Sequence, residues 1–474
     1  MEKLFRLKEN GTTVRTEVLA GLSTFMTMAY IVALNPNLLT SFNSYGQELW
    51  NAVFMATALA SAIGNICMAF MANKPFVMAP GMGLNSFFAV VVTNIAAITG
   101  LSYLESYQAA LCIILVEGIV FIVLSVVRIR EKIVEAIPLG IRLGIAPAIG
   151  MMLLNIGLGS NAGINTENGM FYMLRDFFGG LTPSVTRNAM GAEAYKIMAL
   201  YVITTFIGLF VIVALAHKKI NGAVLYGMVV ASVVYWIGQF FYLGQNPFAG
   251  LKEASWIPPF KDLAEVTLFK FNFSNLLEIG WLSVVMMIIT FCMIDMFDTI
   301  GTLVGTATRA GMLDEKGQMP KMKEALIADA IGTTVGACTG TSTVTTFVES
   351  AAGVEAGGRT GLTSFTAGIL FLLCIFIAPV AILIPAPATS AALIYVGVLM
   401  LSNLRNVNFD DVTQILPIAL MLIAMPISGS IGHGIGIALI AYTVIMLLTG
   451  KAKKVSGLTY ALSVLFILKF FVVV

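Results

Sequence analysis

Residues 75–88 read Pro75-Phe76-Val77-Met78-Ala79-Pro80-Gly81-Met82-Gly83-Leu84-Asn85-Ser86-Phe87-Phe88. The stretch is apolar enough for a bilayer, yet two prolines and two glycines in nine residues prevent one continuous helix. A second stretch, Gly340-Thr341-Ser342-Thr343-Val344-Thr345-Thr346-Phe347-Val348-Glu349-Ser350-Ala351-Ala352-Gly353, has the same character. Its β-branched, hydroxyl-rich first half favours an extended strand, and the small residues from Ser350 onward favour a helix. Each has about half the apolar length of a spanning helix, which needs about 20 residues. Short interrupted segments in corresponding halves point to a transporter binding site, because a half-helix begun mid-membrane turns free backbone groups toward a cavity. A re-entrant turn that only packs against its neighbours is the alternative.

The surrounding chain makes the membrane setting plain. Of 474 residues, 58% are hydrophobic and 11% charged, and mean hydropathy is +0.92. Soluble domains carry roughly 25% charge, so soluble, disordered and secreted disulfide-rich classes are excluded. Net charge is +2 with scattered basic residues, so no nucleic-acid partner is expected. Five cysteines in apolar segments read as buried free thiols, and two histidines cannot build a metal site. The N-terminus shows no small-residue cleavage site, which argues against a signal peptide.

Apolar runs lie near 17–39, 51–72, 80–97, 106–127, 137–157, 195–216 and 221–243. After a polar stretch from about 244 to 279, others follow near 281–304, 325–338, 345–356, 361–383, 386–403, 411–427 and 430–449. The expectation is an all-α polytopic membrane protein of fourteen transmembrane segments, numbered here in chain order. A further apolar run at 457–473 either spans or lies in the interface. With the N-terminus cytoplasmic, nineteen of the 27 Lys and Arg fall in inner loops, Arg128, Arg130 and Lys132 among them. Seven segments followed by seven enter the bilayer from opposite sides, so related halves would form two inverted repeats, with segments 3 and 10 part strand and part half-helix. Ile137-Pro138 opening segment 5 and Ile384-Pro385 opening segment 12 are a faint direct match.

Segment 8 reads Ile289-Thr290-Phe291-Cys292-Met293-Ile294-Asp295-Met296-Phe297-Asp298-Thr299-Ile300-Gly301-Thr302. Asp295 and Asp298, at i and i+3, are expected on one helix face. A carboxylate at bilayer depth costs roughly 2.5–3.5 kcal/mol on insertion scales, so the pair reads as a candidate proton-binding site. Glu349 stands where strand should give way to helix, either as part of the site or as a helix-terminal carboxylate. Asn85 holds the matching place in segment 3 and offers donor and acceptor. A planar heterocycle with N–H and C=O edges suits Asn85, Asp295 and Glu349, and no Arg or Lys is expected in their cavity. Glu117, mid-segment 4, is either a helix–helix partner or a coupling residue. His433 reads as a packed or interfacial imidazole.

Gly11-Thr12-Thr13-Val14-Arg15-Thr16-Glu17, Thr27-Met28-Ala29-Tyr30-Ile31-Val32 and Ala79-Pro80-Gly81-Met82-Gly83-Leu84-Asn85 resemble AzgA-like purine permeases of the nucleobase–ascorbate (xanthine/uracil) transporter superfamily. So do Asp295-Met296-Phe297-Asp298-Thr299-Ile300-Gly301-Thr302 and Thr343-Val344-Thr345-Thr346-Phe347-Val348-Glu349-Ser350. The likeness covers essentially the whole chain. It implies a core domain of segments 1–4 and 8–11 (residues 1–130 and 280–384) and a gate domain of segments 5–7 and 12–14 (131–279 and 385–474). It implies proton-coupled purine symport by an elevator-like motion, hypoxanthine and guanine ahead of adenine. No cofactor is implied beyond the proton, and the setting would be the plasma membrane, as a homodimer. Asp295 and Glu349 would hydrogen-bond the base, with Asn85 and the Phe347 and Val348 backbone lining the site. Asp298, with Asp295 and Glu349, would serve proton coupling. Gly353 is followed by Gly358-Arg359-Thr360-Gly361, an order similar to the AzgA-like branch rather than the uracil or xanthine branches. The alternative within transport is an anion exchanger of the same general fold, which should show fewer acids or an added base near segments 3 and 10. An enzyme would need a metal or nucleophile cluster that the sequence lacks.

Overall fold

The computed structural model describes residues 2–41, 44–127, 138–159, 162–163, 191–248, 256–309, 311–312, 319–429 and 431–472. Arg128, Arg130, Lys132, Ile137 and the expected boundary at 130/131 lie outside them.

Strand β1 (Met78–Pro80) pairs antiparallel with β2 (Val344–Thr346) in the register Met78↔Thr346, Ala79↔Thr345 and Pro80↔Val344. A three-residue ribbon is too short to stand alone, and in a bilayer each of its polar groups needs a partner. Neighbouring segments supply them. Gly81 N donates to Thr343 O at 3.1 Å, and Phe347 N to Val77 O at 3.0 Å. Asn65 of segment 2 mimics a third strand, accepting from Met78 N at 2.8 Å and donating to Met78 O at 2.7 Å. Thr333 donates to Val344 O at 3.1 Å, and Val77 N donates to Ser350 Oγ at 2.9 Å. From each strand the chain enters a helix, Met82–Thr99 after β1 and the short Ser350–Glu355 after β2. Because the strands are antiparallel, the two helices leave the ribbon in opposite directions.

Helices occupy the other expected runs. Segment 1 is Val14–Met28 and Ile31–Leu39, parted at Ala29–Tyr30 where neither Gly nor Pro announces a break. Segment 2 is Gln47–Cys67 ending in a π-turn, Met68–Ala72, and segment 4 is Tyr103–Val126. Segments 5, 6 and 7 are Leu139–Gly157, Ala192–His217 and Ala223–Phe241. Segments 8 and 9 are Trp281–Arg309 and Met322–Thr339. Segment 11 is Gly361–Leu373 with the turns Cys374–Ile377 and Ala378–Ala381. Segments 12, 13 and 14 are Ala386–Met400, Val412–Ser428 and Ile431–Leu448. Among the described residues, ten helices are long and apolar enough to cross a membrane. The protein is a mostly helical polytopic membrane protein.

Segments 1, 2, 4, 9 and 11 pack on one another, and segments 5, 6, 7, 12, 13 and 14 form a second packed set. Small residues allow the close approach, as expected where helices associate by van der Waals contact. A Cβ on Gly118 would fall 2.4 Å from Thr334 Oγ1, and one on Gly150 would fall 2.6 Å from Gly397 O. Glu17 of segment 1 fastens the start of segment 11, accepting from Arg359 N at 2.8 Å, Thr363 N at 3.2 Å and Thr363 Oγ1 at 2.6 Å. The stretch expected to be a polar loop holds short helical pieces, Phe260–Asp262, Leu263–Thr267 and Phe273–Leu277. They sit on segments 2, 4 and 9 through bonds such as Gln108 Nε2 to Val266 O at 3.0 Å and Thr267 Oγ1 to Thr339 O at 2.8 Å. The last run forms a helix, Gly457–Val472, of about 24 Å at 1.5 Å per residue. It packs on segment 14 through Thr443 and Ser463, 2.8 Å apart, and through the His433 and Phe470 rings at 5.5 Å.

Candidate functional site

Segments 8 and 10 face segments 5 and 12 across a cavity of about 450 Å3, inside the roughly 300–1,000 Å3 of small-molecule sites. One wall comes from segments 8 and 10: Asp298, Gly301, Thr302, Thr306, Val348, Glu349 and Ala351. The other comes from segments 5 and 12, with Ile145, Ala146, Ile149, Val396, Leu399 and Met400 providing its apolar surface. Val348 is 58% exposed although it stands at the strand–helix junction, so its side chain is open to the cavity.

Glu349 is the N-cap residue of Ser350–Glu355, but its side chain makes no capping bond. It accepts instead from Tyr30 Oη at 3.1 Å. The break in segment 1 is therefore where a buried tyrosine reaches the site. Thr27-Met28-Ala29-Tyr30 carried the resemblance without revealing this role, because its partner lies 319 residues away.

Of the residues singled out from sequence, Asp298, Glu349 and Val348 line the cavity. Asp295 does not. It is fully buried one turn earlier, where Thr299 Oγ1 lies 3.1 Å from Asp295 Oδ1. That hydroxyl is also 3.0 and 3.1 Å from the two carboxylate oxygens of Asp329 and 2.6 Å from Thr345 Oγ1. The i, i+3 spacing puts the two acids about 60° apart, since a helix turns 100° per residue, and that separates cavity from interior. Asp329, buried in segment 9, escaped notice although it too is an acid in an apolar run.

Asn85 is buried in the first turn of its helix rather than at the cap. It donates to Pro80 O at 3.2 Å and accepts from Ser342 Oγ. It locks the ribbon and does not border the cavity. Phe347 gives its N–H to Val77 and its ring to the core. Glu117 accepts from Thr343 Oγ1 at 2.8 Å, bracing the entry to β2.

The expectation of a cavity without Arg or Lys is corrected: Arg142, near the start of segment 5, lines it. Within an apolar helix it gave no spacing signal, and the fold brings it opposite the acids. A second cavity of about 280 Å3, lined by Asn37, Trp50, Tyr201, Tyr235 and Trp236 among others, has no acid on its walls. Among the described residues, no cluster of His, Cys, Asp and Glu could hold a metal ion.

A cavity lined by Asp298 and Glu349 on one wall and by segments 5 and 12 on the other, within a polytopic membrane protein, is the arrangement of a solute carrier. The chain belongs to the permease family, whose xanthine/uracil-type model matches residues 15–428. It is 37% identical to the adenine permease AdeP of Escherichia coli (strain K12), over 99% of this chain and 95% of that protein. It is also 37% identical to the guanine/hypoxanthine permease PbuG of Bacillus subtilis (strain 168), over 99% of each. Its fold is similar to the transmembrane domain of a cyanobacterium bicarbonate transporter, BicA, with a TM-score of 0.62 at 14% identity, over 90% of this chain and 97% of that one. The protein is a transporter, not an enzyme. The motif resemblance to purine permeases agrees with these relatives.

Proposed function

We propose that the protein carries purine nucleobases into the cell by proton symport, hypoxanthine and guanine ahead of adenine. The observation that supports this most is the joint presence of Asp298 and Glu349 on one wall of a cavity sized for a bicyclic base. Their oxygens suit the N–H edge of a purine, and Val348 with the apolar wall of segments 5 and 12 suits its faces. Tyr30 orients Glu349, while Asp295 and Asn85 hold the helix and ribbon behind the acids. Protonation of Asp298 and Glu349 would neutralise the cavity, with Asp295 buried behind them as a further proton-binding acid, and the loaded set of segments would then move. Two carboxylates against one Arg142, and relatives named for purine bases, do not favour anion exchange.

In this reading the fourteen segments form two inverted repeats. Residues 1–130 and 280–384 make a core that slides, elevator-like, against a gate of 131–279 and 385–474. A cavity walled by segments 8 and 10 on one side and 5 and 12 on the other supports that division. The protein would sit in the plasma membrane with a cytoplasmic N-terminus, as a homodimer. The test is uptake of radiolabelled hypoxanthine in a purine-transport-deficient cell, with and without a protonophore. Protonophore-sensitive uptake is expected. Uptake indifferent to the protonophore removes proton coupling, and no purine uptake removes the substrate assignment.

A further inference from the structure

The lining of the cavity carries two chemically different sets of groups. Asp298 and Glu349 make up one, and both are acceptors when ionised. Thr306, eight residues along segment 8 from Asp298 and so about 12 Å away at 1.5 Å per residue, and Arg142 of segment 5 line the same cavity as donors. Thr306 is 2% exposed, and its hydroxyl has no hydrogen-bond partner among the described residues. Thr57 and Thr290, also buried in helices, return that proton to the carbonyl four residues back, to Val53 O and Met286 O at 2.7 and 2.8 Å, whereas Thr204, away from this cavity, is left like Thr306. Thr306 makes no such bond, although nothing in a helix forbids it. A buried polar atom left without a partner costs about 1–3 kcal/mol, and Thr306 is among the residues that line the cavity. Arg142 brings donors only.

From this geometry, and resting on the purine reading above, we infer that Thr306 and Arg142 form a donor subsite that selects bases bearing a ring carbonyl over adenine. Hypoxanthine and guanine present N–H groups at one edge and a carbonyl oxygen at another, so one molecule can meet the acids and the donors together. Adenine has an amine in place of that carbonyl. Its N–H groups would face Arg142, leaving guanidinium donors opposed to a donor. A site built to bond a group discriminates strongly against an analogue that lacks it, because the buried partners are left unpaired. The family supplies the contrast, since relatives of equal identity are named for adenine and for guanine and hypoxanthine.

The experiment measures KM and kcat for radiolabelled hypoxanthine, guanine and adenine with the full-length protein in purine-transport-deficient cells. The wild type is expected to prefer both oxopurines. Thr306→Val, nearly isosteric, should lower the hypoxanthine-to-adenine ratio of kcat/KM about tenfold, the loss of one hydrogen bond of about 1.4 kcal/mol. The change should lie in KM for the oxopurine, and Thr306→Ser should restore the ratio. Arg142→Gln should shift the ratio in the same direction, and Arg142→Lys, which keeps charge but not the fork, only in part. A ratio unchanged in Thr306→Val and Arg142→Gln, with all three bases affected alike, overturns the inference. A wild type that prefers adenine overturns it while leaving purine transport standing. A wild type that takes up none of the three overturns both.

Discussion

Tyr30 Oη donates a 3.1 Å hydrogen bond to Glu349 Oε1, joining the break in segment 1 to the start of the half-helix in segment 10. Tyr30 is 1% exposed, so the donor side of the bond is buried, and the bond fixes which carboxylate oxygen remains for a ligand in the cavity that Glu349 lines. Tyr30→Phe keeps the ring and removes the donor. A hydrogen bond to a charged group contributes about 1.5–3 kcal/mol. Purine affinity should fall at least about tenfold by this measure, with the purified protein still folded. Unchanged binding in a thermal-shift titration with hypoxanthine would show that Glu349 needs no orienting partner.

Gly301 lines the cavity, and a Cβ added there would meet nothing within 4 Å. Its backbone is helical, so a side chain introduces no strain, and replacing a helical glycine gains about 0.8–1.0 kcal/mol. Gly301→Leu should therefore hold or raise the melting temperature while filling the space a base needs. Forcing a ligand past that side chain costs about 1–3 kcal/mol by the overpacking scale, so uptake should fall about tenfold or more. Melting and uptake measured on one preparation check both halves. A parallel loss of stability and uptake would mean that Gly301 faces protein and not the cavity.

Apolar length and Gly/Pro placement made the helices and the two interrupted segments legible in the sequence, because bilayer thickness and backbone sterics act locally. Asp298 and Glu349 were legible for the same reason: acids in apolar runs stand out. Tyr30, Asp329 and Arg142 were not assigned to the site. A tyrosine in a membrane helix is unremarkable until its partner is known, and Arg142 gains meaning only when segments 5 and 8 face each other. The i, i+3 spacing of Asp295 and Asp298 fixes only that they lie about 60° apart on the helix. What it could not supply is the packing of segment 9 against that surface, which turns the first acid inward through Thr299. Asn85 reads as a cavity residue because it holds the place in segment 3 that matches Glu349 in segment 10 and offers donor and acceptor. Its two bonds, to Pro80 O and from Ser342, depend on the strand pairing, which no single segment encodes.

Asn65 serves both main-chain groups of Met78, donating at 2.7 Å and accepting at 2.8 Å. Asn65→Leu keeps the branched shape, though it is bulkier, and leaves an N–H and a C=O buried without partners, at about 1–3 kcal/mol each. A clear drop in detergent melting temperature is expected. Asn65→Asp retains the acceptor for Met78 N but not the donor, so it should lie between the two. Equal stability of all three proteins would show that the ribbon does not depend on segment 2.

Thr299 stands where segments 8 and 9 and strand β2 meet, within 3.1 Å of Asp295, Asp329 and Thr345 oxygens. It has one hydroxyl proton, which cannot serve both carboxylates at once. The cluster is therefore a coupled unit, and removing the hydroxyl changes the surroundings of both acids while sparing the cavity wall. Thr299→Val should reduce stability and uptake together, whereas Thr299→Ser should keep most of each. The coupling is measurable. If Thr299 acts through Asp329, combining Thr299→Val with Asp329→Asn should cost less than the sum of the single changes, by about 0.5–3 kcal/mol for residues in one network. Strict additivity in that double-mutant cycle would mean that the short distances at Thr299 carry no energetic link between segments 8 and 9.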